Sequence, residues 1–331
     1  MDVIGGVATR RRPRTGRFGR RWIAASAPSQ PDNAPLYPIS RPSCCGIGDC
    51  SADQASRHTC GSSLGFILLG LLIFSALSVS PAHADCNAEP RAGVNWAGCD
   101  KRGAELQEAD LSRALLRRID LTGADLHSAI LEGAVVTDAA LDEADMRNAR
   151  MRRVDFGASR LARARFQGAN LQDARFVSAS LPEADFSEAN LGGGRLDSAD
   201  MTAVRFTTAE LSDSSFYNAQ LRGADFTDAV ASNADFTRAN LEGARFRDAD
   251  LSGANLSHVN LENADLQGAD LQGANLDSAA LAGADFTGAN LQRADLRNAS
   301  IRGTIFDEAK LGNATWIDRS HCRPRSVGAC D

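Results

Sequence analysis

Aromatic residues make up only 6% of the 331 positions, so a bulky mixed core is excluded and a narrow, repetitive one is favoured. Lysine is almost absent, with Lys101 and Lys310 the only two, and the remaining cations are arginines. The one run of three glycines, Gly192-Gly193-Gly194, is not followed by Lys-Ser/Thr, so it is no phosphate-cradling loop. No nucleophile, base and orienting group recur at a catalytic spacing, so the chain is read as a non-enzyme that needs no cofactor and binds no metal. His127 and His258 stand alone at outward or corner positions and read as surface substitutions.

Charge divides the chain. Residues 1–84 hold nine arginines and four aspartates, a net of +5, while residues 85–331 hold 27 Lys and Arg against 38 Asp and Glu, a net of −11. The basic head, residues 1–63, is rich in Arg, Pro, Ser and Gly without an apolar period; it reads as a disordered extension or as sequence ahead of a misassigned start. An apolar run follows within residues 64–84, from Leu64 to Val79, and ends in Pro81-Ala82-His83-Ala84. The run is shorter than the roughly 20 residues of a bilayer span, and alanines at −3 and −1 place a signal-peptide cleavage point after Ala84. The second reading is an uncleaved membrane anchor.

A mature chain beginning at Asp85 would keep four cysteines: Cys86 and Cys99 near one end, Cys322 and Cys330 near the other. Export makes oxidation plausible, and the clustering favours two local disulfides, although three pairings are open to four cysteines. Residues 85–100 are expected to cap one end, with Trp96 as a plug and Cys99 inward, and residues 317–331 to cap the other.

The middle of the chain repeats every five residues. From Leu106 to Trp316 there are 43 units in one register; Leu or Phe fills the centre of 36, and Ala stands two residues earlier in 35. A helix cannot use this pattern, because a five-residue step turns it by about 140° and the centres make no stripe. An extended segment can: the Ala and the centre share an inward face, the residue between them points out, and the last two turn a corner. All eleven Phe of the repeat lie at every second centre, such as Phe156, Phe166, Phe176 and Phe186. Closure after four units sorts them onto two opposite faces, whereas closure after three would scatter them. The expected fold is all-β: a square parallel β-helix solenoid over residues 101–316, about eleven coils long, with a solid core.

Units such as Ala234-Asp235-Phe236-Thr237-Arg238, Ala239-Asn240-Leu241-Glu242-Gly243 and Ala264-Asp265-Leu266-Gln267-Gly268 resemble the A(D/N)LXX pattern of the pentapeptide-repeat family. The resemblance implies a right-handed quadrilateral β-helix. It also implies kinship with members that mimic DNA and bind DNA gyrase, among many members without an assigned biochemical role.

Two charge features are candidate surfaces. Arg147, Arg150, Arg152, Arg153, Arg160, Arg163 and Arg165 fall on nearly one coil and form a basic collar, a dock for an anionic surface. Residues 248–292 hold no Lys or Arg, and Asp250, Asp265, Asp270 and Asp285 form an acidic stripe of the kind a DNA mimic would use. The first expectation for function is an exported structural or protein-interaction module, periplasmic or secreted. It would be a monomer, with a protein or an anionic surface as partner, no small-molecule substrate and no direct nucleic-acid contact. The alternative is an acidic DNA mimic acting on a type II topoisomerase.

Overall fold

A computed structural model of the protein describes residues 84–331. The basic head and the apolar run, with all of the expected cleavage motif except Ala84 itself, lie outside the described residues.

From Asn95 to Thr315 each outward residue forms a parallel bridge to the residue twenty positions on: Asn95 to Leu115, Leu115 to Val135, and so on to Asp295 with Thr315. Twenty residues therefore close one coil, and the chain is a right-handed quadrilateral β-helix. Its four faces are numbered here by their first bridge residue: face 1 at Asn95, face 2 at Asp100, face 3 at Glu105 and face 4 at Asp110. Successive coils stack about 4.8 Å apart, giving a rod of roughly 50 Å.

The unit Ala234-Asp235-Phe236-Thr237-Arg238 shows why five residues suffice, because every N–H finds an acceptor. Asp235 donates back to Ser214 O at 2.9 Å, and Phe236 and Arg238 donate forward to Asn255 O and Ser257 O at 2.8 and 3.1 Å. Ala234 closes the preceding turn on Ala231 O at 3.2 Å. The fifth, Thr237 N–H, points away from both neighbouring coils and donates to the Asp235 carboxylate at 2.9 Å. This is the physical reason for Asp or Asn in the outward slot: the side chain supplies the one acceptor the ladder lacks. Pro182 obeys the same logic. It has no N–H to satisfy, and the residue before its centre, Ser180, is not an Asp or Asn.

At every corner from Gly93 to Asn313 the second turn residue has φ near +60°, whether or not it is glycine. Arg153, Glu183 and even the β-branched Thr208 (φ 56°) adopt it. That conformation costs a non-glycine residue about 1 kcal/mol or more, so the corners are strained and burial must compensate.

It does so with two aromatic columns. On face 3, Phe166, Phe186, Phe206, Phe226 and Phe246 stack at centroid distances of 4.4, 5.1, 5.0 and 4.6 Å. Phe156, Phe176, Phe216 and Phe236 line face 1 and meet the first column edge-on across the interior, as in the 5.7 Å pair of Phe176 and Phe186. Leu and Met fill most of faces 2 and 4, and the alanines floor the remaining space, nearly all without solvent exposure. The coils bury these side chains against one another, so the described rod holds a continuous core of its own.

At both ends the expected segment is in place, with Trp96 and Cys99 buried at one and residues 317–331 folded over the other, but each caps only in part. At the N-terminal end the coil begins inside residues 85–100: Gly93 and Gly98 already turn corners, Asn95 bridges Leu115, and Val94, Trp96 and Cys99 are buried. Only residues 84–90 act as a cap, with Trp96 Nε1 donating to Ala88 O at 3.2 Å and Lys101 over the indole ring at 4.4 Å. At the C-terminal end the 317–331 segment covers half of the edge. His321 and Val327 pair antiparallel with Thr315 on face 1 and Lys310 on face 4. Faces 2 and 3 stay open, and among the described residues the N–H groups of Ile301, Gly303 and Phe306 have no acceptor. The segment is too short to cross all four faces once a disulfide, Cys322 to Cys330, folds it back on itself. A second disulfide joins Cys86 to Cys99, with Cα atoms 5.5 Å apart.

Candidate binding surface

The side chains that could contact a partner sit in the outward slot of each face and on the two corner residues after each centre. Neighbours one coil apart differ by twenty residues, so a column of like residues reads directly as a stripe.

The basic collar encircles the rod, but most of it is neutralised. Arg147 and Arg165 both hold Asp145, at 2.7 and 3.0 Å, and that carboxylate is almost buried. Burial alone would raise the Asp145 carboxyl; the hydrogen bonds from Arg147 and the charge of Arg165 hold it below the usual carboxylate range instead. Arg150 pairs with Glu132 at 2.8 Å, Arg160 with Asp142 at 3.1 Å, Arg163 with Glu143 and Arg153 with Asp173 at 3.7 Å. Arg152 alone has no carboxylate partner.

The acidic stripe resolves into two short pairs on adjacent faces. Asp250 and Asp270 are bridged on face 4, between Val230 and Asn290; Asp265 and Asp285 are bridged on face 3, between Arg245 and Ile305. All four carboxylates accept the turn N–H two residues on, and Asp265 also pairs with Arg247. Burial would raise the Asp285 carboxyl, but hydrogen bonds from Thr287 and Gln267 hold it below its ordinary value. These aspartates serve the backbone first, and no face carries a continuous run of them.

Clefts open at corners where glycine removes a side chain. One of about 290 Å³ is lined by Arg113, Glu132, Gly133, Arg152 and Arg153. Another, of about 450 Å³, is lined by Thr202, Arg222, Gly223, Glu242, Gly243 and Asn263, with Arg222 and Glu242 paired at 3.6 Å. Among the described residues, no three His, Cys, Asp or Glu side chains converge as a metal site. The His127 ring reaches the side chains of Ser128 and Asn148, at 3.3 and 3.4 Å.

Among the described residues four large apolar side chains are exposed: Leu115, Tyr217, Ile305 and Val327. Leu115 occupies an outward slot where the repeat prefers Asp or Asn, and it bridges a second apolar outward residue, Val135. The basic-collar reading passed over this strip and the unpaired Arg113, Arg117 and Arg118 beside it. With coils of twenty, the signal is in the sequence: neither Arg113 nor Arg117 has an acid two, eighteen or twenty residues away, the offsets at which the other arginines find theirs.

Comparison with solved structures finds several that this chain is similar to. HetL, a pentapeptide repeat protein involved in heterocyst differentiation regulation from the cyanobacterium Nostoc sp. strain PCC 7120, is 29% identical over 60% of this chain and 91% of its own, with a TM-score of 0.32. A pentapeptide repeat protein from the Arabidopsis thaliana thylakoid lumen is 29% identical over 33% of this chain and 83% of its own, with a TM-score of 0.30. Trypsin-treated QnrB1, a plasmid-mediated fluoroquinolone resistance protein, is 20% identical over 56% of this chain and 89% of its own, with a TM-score of 0.31. No curated protein matches the chain. Residues 169–246 match the model of a pentapeptide repeat region, and residues 92–123, 119–157, 244–281 and 279–315 match that of pentapeptide repeats (8 copies). With that coverage running nearly from end to end of the rod, the chain belongs to the pentapeptide-repeat family.

Proposed function

We propose that this protein is an exported, non-enzymatic interaction rod whose mature form begins at Asp85 and whose partner docks on its outward columns. The observation that carries the reading is the pair of disulfides, Cys86 to Cys99 and Cys322 to Cys330, one fastening each end. Such bonds persist in oxidising compartments and are rare in the cytosol. A solid core and shallow corner clefts supply no enclosed chamber for chemistry, so recognition falls to the surface. Proteins built on this repeat serve in general as structural or interaction modules.

The test is to recover the protein from fractionated cells, sequence its N-terminus and weigh it with and without reduction. The expected result is Asp85 first, two disulfides, and absence from the cytoplasmic fraction. A cytoplasmic chain with free thiols sinks the reading.

The alternative, a DNA mimic of a type II topoisomerase, draws on the acidic stripe. It has less support, because the stripe is two carboxylates deep on each of two faces. Inhibition of gyrase supercoiling by residues 84–331 would restore it.

A further inference from the structure

We propose that face 1 of the first coils is a docking site for the anionic headgroups of a lipid surface. This rests on the reading of the rod as an interaction module and not on its export. Leu115 is 41% exposed and Val135 is half-buried directly beside it, so two branched apolar side chains lie flush on a flat, rigid face. Both corners of that face carry cations. Arg117 and Arg118 stand on one side; Arg113 and Arg152 stand on the other, around the 290 Å³ cleft at Gly133. These four arginines have no carboxylate partner among the described residues, whereas the remaining collar arginines are spent on Asp and Glu.

The cleft is a notch in the corner. Gly133 holds φ +64°, and a Cβ there would meet only the Arg113 side chain, at 3.9 Å. A phosphodiester seated in it would lie between guanidinium groups above and beside it, the geometry in which arginine chelates phosphate oxygens. The facing carboxylates cancel only part of the charge: Glu132 is engaged by Arg150 at 2.8 Å and Asp155 by Arg175 at 3.6 Å, while Asp138, outside any ion pair and one coil on from Arg118, offsets one of the four cations. The aspartates from Asp250 onward are about six coils away, roughly 28 Å, which exceeds the screening length of about 8 Å at physiological salt. The apolar strip decides the class of ligand. A lipid headgroup brings glycerol and acyl carbon next to its phosphate, which Leu115 and Val135 would cover; a soluble acidic glycan brings hydroxyl groups.

Co-sedimentation of residues 84–331, which hold their own core, with phosphatidylglycerol and phosphatidylcholine vesicles tests this at several salt concentrations. Binding is expected to the anionic vesicles alone, falling with salt. R113A/R152A should weaken it about tenfold or more, since each arginine near such a surface contributes appreciably. L115N/V135N should weaken it severalfold while restoring the residue that the slot prefers, so folding is not at risk. Arg222→Ala, at the other cleft, should leave it unchanged. Equal binding to both vesicles, insensitivity to R113A/R152A, or capture by a soluble sulfated glycan in place of vesicles each overturns the proposal. None of these outcomes depends on which residue begins the mature chain, so the export reading stands or falls separately.

Discussion

The stretch from Phe156 to Phe246 and the stretch from Leu251 to Leu281 have the same backbone but hold it by different means. In the first, Phe columns fill faces 1 and 3. Its corners between Ser178 and Arg238 are mostly Glu, Ser, Asp, Asn and Arg at positive φ, with glycine only at Gly193 and Gly223. Its outward slots include Arg175, Arg195, Arg205, Glu210 and Val230, which leave the turn N–H without the usual acceptor. In the second, every centre is Leu, and Gly253, Gly268, Gly273, Gly283 and Gly288 relax the corners in and just beyond it. Every outward slot from Asp250 to Asn290 except Ala280 is an Asp or Asn that accepts that N–H. Large rings compensate for strained, poorly capped turns; well-made turns allow a smaller core.

On that contrast Phe226→Ala should be the most damaging single change, about 3–5 kcal/mol, because a stacked and edge-packed ring leaves a cavity. Leu271→Ala should cost less, about 2–3 kcal/mol; urea unfolding of the two variants compares them, and equal losses would break the contrast. Next comes Asp145→Asn, at about 1.5–3 kcal/mol near pH 7, because a nearly buried carboxylate then leaves Arg147 and Arg165 unmatched. The folded pKa of Asp145 lies below its reference value of 3.8, so its contribution is complete above that pH and is lost as pH falls through the folded value. Unfolding curves for Asp145→Asn and the native chain should therefore keep their separation down to about pH 4 and draw together below it.

Smaller effects should run in opposite directions in the two stretches. Thr208→Gly should stabilise and Gly273→Ala destabilise, each by about 1 kcal/mol, since a Cβ at Gly273 meets nothing and only the positive φ matters; thermal melts would read both. The finest probe is proline. Ser212→Pro, in a turn whose N–H is uncapped, should shift stability by no more than about 0.5 kcal/mol. Ser252→Pro removes a donor that Asp250 holds at 2.9 Å and should cost about 1 kcal/mol.

The period, the inward Ala and Leu or Phe, and closure after four units were legible because the Phe spacing admits only one stacking. Positive φ at corners such as Arg153 and Thr208 was not, since residue type there gives no sign of it. The half-open C-terminal edge was also hidden: it depends on where the Cys322 to Cys330 loop turns back, not on any repeat. At the candidate surface the sequence showed which arginines are close together but not which are already matched. Arg150 reaches Glu132 and leaves Arg152 free, a choice made by side-chain geometry.

Unbroken twenty-residue closure from Asn95 to Thr315 gives every surface group both a height and an azimuth. Inserting one five-residue unit would rotate everything downstream by a quarter of a revolution, dropping phenylalanines onto leucine columns. Inserting four would lengthen the rod by about 4.8 Å and alter no bearing. Changes in length compatible with this interior are therefore quantised in whole coils, and groups far apart along the axis keep their alignment however many coils are added between them.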